Sequence, residues 1–217
     1  MLYKVTNRLF RGIYQYKIVL VVPAANAFRS GDMQQTLKDL RSINLINLLN
    51  SKSTTPSWQL GWKANVKTQD DLDFCFKLQK IVSSLKDFDI RVESPCVSIY
   101  TNNKQDIDKI SKTDPDRVKY ISKPPDNASL ESGVVILPKI DFEYKITLGK
   151  TIQEHTAFIE WAQANKKVKL TNSCVRDLSR DRSWGGTYFY ITGDKNVLMA
   201  KMHLGSSINK IERIVKA

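Results

Sequence analysis

Apolar residues along this chain switch between two spacings, every second position and every third or fourth, and the switches mark out a series of short elements. Residues 11–22 are dense in Tyr, Ile and Val and predict a strand that Pro23 and Asn26 end. Met33, Leu37, Leu40 and Ile43 then share one helical face, with Ser30 or Asp32 as the cap. After a polar loop over residues 50–56, Trp58, Leu60 and Trp62 alternate as on a strand. Thr68 caps the clearest helix, with Asp70 and Asp71 in its first turn, where they favour the helix dipole. Its apolar face is Leu72, Cys75, Phe76, Leu78, Ile81, Val82 and Leu85. Short strands follow at 90–92 and 95–101, then a helix capped by Asn102 or Asn103 that runs to about Lys112, then a strand at 118–121.

Residues 123–133, with Pro124, Pro125, Asn127 and Gly133, form a linker pattern. Beyond it the spacing predicts strands at 134–137 and 142–148. Thr151 then caps a helix through Phe158, Ile159 and Trp161 that ends near Asn165. A strand at 168–171 precedes a basic loop or short helix over 173–186 and a strand at 188–192. A turn at Gly193-Asp194 leads to a returning hairpin strand over 197–204, and Ser206 or Ser207 caps a final helix over 208–215. The strand at 142–148 repeats an earlier one. Tyr14, Tyr16, Lys17, Ile18 and Leu20 recur as Phe142, Tyr144, Lys145, Ile146 and Leu148, an aromatic-x-Tyr-Lys-Ile-x-Leu pattern in both places.

The echo predicts two similar units, a lobe at 1–122 and a lobe at 134–217 joined by the linker at 123–133. Both have α+β patterns with mostly antiparallel hairpins and helices packed on one face. The ferredoxin-like, split β-α-β plan fits them best.

The 217 residues, 41% hydrophobic and 26% charged, suffice for a core and exclude a wholly disordered chain. Charge says more about partners. Thirty-four Lys and Arg against 22 Asp and Glu give a formal charge of +12, which draws the protein to polyanions. Cys75, Cys96 and Cys174 are scattered and form no CxxC pair, so they predict small buried thiols in a reducing compartment and no zinc site. The N-terminal residues show no signal-peptide pattern, and the apolar run at 18–22 stops at Pro23, too short to cross a bilayer. A cytoplasmic, intracellular protein with no membrane partner is expected.

Gly149-Lys150-Thr151 lies between a predicted strand and a predicted helix, the place of a phosphate-binding loop. The glycine such a loop needs five residues earlier is Tyr144, so a strand-to-helix turn is expected there. Acidic pairs at Asp70-Asp71, Asp87 and Asp89, Asp106 and Asp108, and Asp114 and Asp116 lie at helix starts and in loops, where Asp caps and solvates; no metal or cofactor is expected. The basic segment is more specific. Arg176, Arg180 and Arg182 precede Trp184-Gly185-Gly186, and Tyr188 and Tyr190 follow on a strand. Guanidinium groups fork onto phosphates, and indole or phenol rings stack on bases. In the contrary reading these rings are core, and Asp177 and Asp181 neutralise the arginines. Trp58, Trp62, Lys63 and Lys67 interleave rings and charge in the first half, and Lys210 and Arg213 share a side of the predicted last helix.

The expected function is non-catalytic binding of RNA or single-stranded DNA. Arg176, Arg180 and Arg182 anchor phosphates, Trp184 and Tyr188 stack bases, and Lys201 extends the basic surface. Two other classes fit the same composition. One is a metal-independent endoribonuclease with His155 or His203, the two histidines of the chain, as acid or base. The other is a viral structural or assembly protein whose basic surface contacts a packaged genome.

Overall fold

The computed structural model describes residues 2–29, 33–39, 41, 66, 68–125, 130–150, 153, 155–180 and 182–216. The chain divides into two units, Met1–Asn127 and Ala128–Ala217, and each has its own buried core. The class is α+β, with one five-stranded sheet in each unit.

In the first unit, β1 (Tyr3–Val5) and β2 (Tyr16–Val21) precede helix α1 (Gln69–Val82). Then come β3 (Phe88–Glu93), β4 (Cys96–Thr101), α2 (Lys104–Ser111) and β5 (Val118–Lys123). Residues 33–39 are also helical. The strands lie in the order β1-β5-β2-β4-β3. Only β1 and β5 run parallel, and the other neighbours are antiparallel. Thr68 begins α1 with a reciprocal cap: its Oγ1 accepts the Asp71 N–H at 3.2 Å, and Asp71 Oδ2 accepts the Thr68 N–H at 3.1 Å. Asn103 caps α2 through the Gln105 N–H. Leu72, Cys75 and Leu78 of α1 close over Ile18, Leu20 and Ile99 of the sheet, all fully buried. Each such side chain contributes about 1.5–3 kcal/mol relative to exposure.

The second unit repeats the arrangement. β6 (Val134–Ile136), β7 (Tyr144–Leu148), α3 (Thr156–Ala164), β8 (Val168–Leu170), β9 (Tyr188–Ile191), α5 (Asp194–Leu204) and β10 (Ile208–Val215) follow one another, with a short extra helix α4 (Asn172–Leu178) between β8 and β9. The sheet order is β6-β10-β7-β9-β8, again with only the first neighbours, β6 and β10, parallel and the rest antiparallel. Strand for strand this is the first sheet. The four-stranded split β-α-β plan lacks the added edge strand that β1 and β6 supply.

The echoed residues hold matching places. Ile18 faces Ile99 across β2–β4, and Ile146 faces Phe189 across β7–β9, each pair in its core. On the other face Lys17 is opposite Tyr100, and Lys145 is opposite Tyr190. The aromatic that opens each echo lies against that tyrosine, with ring centroids 6.3 Å apart for Tyr14–Tyr100 and 6.0 Å for Phe142–Tyr190.

Three expectations change. The first echoed strand begins at Tyr16, because Arg11 and Gly12 both take left-handed backbone angles and bend residues 10–14 into a loop closed by two Phe10–Tyr14 backbone hydrogen bonds. The last two elements exchange types: residues 194–204 are a helix and residues 208–215 a strand. Val197, Ala200 and Leu204 are its buried face at helical spacing, and the segment is rich in Leu, Met, Ala and Lys. Residues 208–215 carry three isoleucines and a valine, which suit a pleated surface. Lys210 and Arg213 therefore sit on a strand at odd spacing, on opposite faces. Finally, α3 begins at Thr156 with His155 before it, and among the described residues no side chain caps it. The proposed cap Thr151 and the Trp58–Lys67 pattern, except Val66, lie outside the described residues.

Cys75 and Cys174 are fully buried, and burial pushes their thiols up to about 11 and about 12. Among the described residues no three His, Cys, Asp or Glu side chains gather as metal ligands, and no helix is long and apolar enough to cross a membrane.

Candidate nucleic-acid interface

Between β3 and β4 the first unit turns through Ser94 and Pro95 alone. At the same place in the second unit, between β8 and β9, the chain runs from Thr171 to Thr187. Arg176, Arg180, Arg182 and Trp184 all lie in that longer connection.

Thr171 starts it. Its Oγ1 accepts the Cys174 N–H, capping α4, and donates to the Tyr188 carbonyl at 2.8 Å. Cys174 and Leu178 enter the core, which leaves Arg176 on the exposed side of the helix. Arg180 and Arg182 are exposed just beyond. The Arg176 guanidinium lies 4.0 Å from Asp177, a contact weakened by solvent. Asp177 is engaged elsewhere as well, accepting the Ser183 hydroxyl at 2.9 Å, and Ser183 Oγ in turn accepts the Gly185 N–H at 3.1 Å. Asp181 lies outside the described residues.

The loop is then fastened to the end of β7. Gly186 N–H donates to Leu148 O, Leu148 N–H to Thr187 O, and Gly149 N–H to Ser207 O, each at 2.8 Å. Gly185 has φ +79°, and a Cβ on it would lie 2.4 Å from the Gly149 carbonyl carbon. Only glycine lets these two backbones lie so close. The residue just before this contact is Trp184, and its side chain projects into solvent, 90% exposed. The reading that places this ring in the core is overturned. Lys150 brings its Nζ to 5.6 Å from the indole centroid, within the range of a cation–π contact.

Tyr188 occupies a different environment. It is half-buried on the sheet face opposite the core, with Lys145 Nζ 4.1 Å from its ring centroid and Tyr190 edge-on at 5.5 Å. Burial and the neighbouring Tyr188 raise the Tyr190 pKa. Lys201 is exposed on α5, on a helix rather than the expected strand, and none of the contacts that fasten the loop includes it. The structure thus gathers the arginines and Trp184 in one segment and leaves Lys201 on a separate element.

Both histidines make contacts within the second unit. His155 is buried, with Nε2 3.0 Å from Ser207 Oγ, and burial lowers its pKa. His203 stacks on Trp161 at 5.6 Å between centroids and lies 6.0 Å from Phe158. Lys150 is the member of the site that sequence reasoning passed over. It belongs to the Gly-Lys-Thr run rejected as a phosphate loop, and the surviving signal was the glycine before it, which receives the close approach of Gly185. No protein-family model, no curated protein and no solved structure matches this chain.

Proposed function

We propose that this protein binds RNA or single-stranded DNA, without catalysis, through the basic connection between β8 and β9. One observation carries the reading. Two sheets of the same order have a matching hairpin of unequal length, and the longer version holds Arg176, Arg180, Arg182 and an almost fully exposed Trp184. Segments that a fold does not need for closure are where binding groups concentrate. Arginines supply forked donors for phosphate oxygens, and the indole supplies a face on which any base stacks. The +12 charge attracts the polyanion from a distance.

The test is binding of labelled single-stranded RNA, single-stranded DNA and duplex DNA at two salt concentrations, with gels to detect cleavage. Affinity for a single strand falls steeply with salt. In a variant with Arg176, Arg180 and Arg182 all changed to Ala, the slope of log K against log salt is shallower by about 2, from three lost single-strand phosphate contacts. Cleavage by the wild type would restore the nuclease reading. Weak and equal binding of all three ligands would give precedence to assembly on a basic surface.

A further inference from the structure

We infer that the site takes one unpaired nucleobase, laid on the face of Trp184 that Lys150 leaves open. The inference rests on the nucleic-acid reading above and narrows it to a ligand feature. Lys150 Nζ stands over the indole at 5.6 Å, so one face of the ring has a cation beside it. The ring is 90% exposed, so its other face meets solvent. A base within a duplex has both faces covered by its neighbours; an overhanging, bulged or single-stranded base has a face to give.

The platform is built rather than loose. Gly185 is wedged against the Gly149 backbone, Gly186 is bonded to Leu148, and Ser183 links Gly185 to Asp177. These contacts fix the backbone on the C-terminal side of Trp184, so stacking orders little that is not already ordered. Lys150 follows Gly149 directly, so the cation on the covered face is carried by the same fastened backbone. The first unit offers no counterpart at its matching hairpin, which is the Ser94-Pro95 turn. One such base per chain is expected from this fold position.

The experiment compares four probes, each made in RNA and in DNA, by fluorescence anisotropy: a blunt duplex, the same duplex with a one-nucleotide overhang, the same with an abasic overhang, and a single strand. Wild type binds the overhang about tenfold tighter than the blunt duplex, since stacking on an aromatic side chain is of that order. The abasic overhang loses the gain. Trp184→Leu binds the overhang no better than the blunt duplex, Trp184→Phe keeps most of the preference, and circular dichroism confirms that both variants fold. Equal binding of blunt and overhanging duplex by the wild type overturns the inference and leaves the nucleic-acid reading standing. No binding to any probe overturns both, and the exposed indole then belongs to a protein contact.

Discussion

The two units share one sheet order and part company at one hairpin, among other connections. Strand order, pairing directions and the echoed Lys-Tyr contact recur from one to the other. Yet Ser94 and Pro95 suffice to join β3 to β4, while residues 171–187 join β8 to β9. A sheet that closes with either connection does not need the longer one; Cys174 and Leu178 there serve the core, but the exposed Arg176, Arg180, Arg182 and Trp184 are not explained by folding. The reverse face teaches a related point. In the first unit Phe10, Tyr14 and the Arg11–Asp89 ion pair close over Tyr100, which is 5% exposed. In the second unit Tyr188 and Tyr190 stay half-buried.

The comparison breaks most visibly in the cores. Ile18 and Ile146 occupy the same place and are both fully buried. Ile18→Ala and Ile146→Ala should each cost about 2–5 kcal/mol. Because the two core clusters share no residue, hydrogen exchange should show each loss confined to its own unit. A uniform loss in both would mean that they unfold as one block.

The hairpin gives the next effect. Gly185→Ala meets the Gly149 backbone as well as a left-handed φ, and should cost about 1–3 kcal/mol and displace the loop. Gly186→Ala has the same sign of φ but open space around the added methyl, so only the strain of about 1–2 kcal/mol applies. Thermal unfolding of the two variants should rank them in that order, and equal losses would remove the close approach from the account.

The smallest effect separates the units by pH. Both histidines of the chain belong to the second. Burial holds the His155 pKa below its ordinary value, so the unfolded chain accepts a proton that the native state resists. The contribution is complete above the unfolded value near 6.5 and is lost as pH falls below it towards the native value. Hydrogen exchange between pH 7 and pH 5 should show the second unit weakening first. His155→Gln, which keeps a hydrogen-bonding side chain without that titration, should flatten the difference.

Much of this fold was readable where local chemistry is decisive. Thr68 with Asp71 in the first turn, and the Asn102-Asn103 pair, announce helix starts that the structure keeps, the second at Asn103. The echo located two equivalent strands. The exchange of α5 and β10 was not readable from spacing, because runs of eight to eleven residues with apolar positions on several sides satisfy both periods. Propensity favoured the observed assignment: Leu, Met and Ala in one segment, Ile and Val in the other. With those two elements corrected, the second unit's order becomes that of the first. β1 escaped notice because three exposed residues carry no pattern. At the site, the residue types of Arg176, Arg180, Arg182 and Trp184 were legible. The exposure of the indole was not, since it depends on Gly185 meeting Gly149 from a distant part of the chain.

The parallel edge strands have a temporal consequence. Tyr3 pairs with Ile121, and Val134 with Arg213, so each unit joins its opening strand to its final one. On the ribosome β1 must wait until β5 has emerged, while β2, β3 and β4 can already assemble. Until then β2 presents an unpaired edge to any neighbouring nascent chain. Such late, long-range closure slows folding, and the chain goes through it twice.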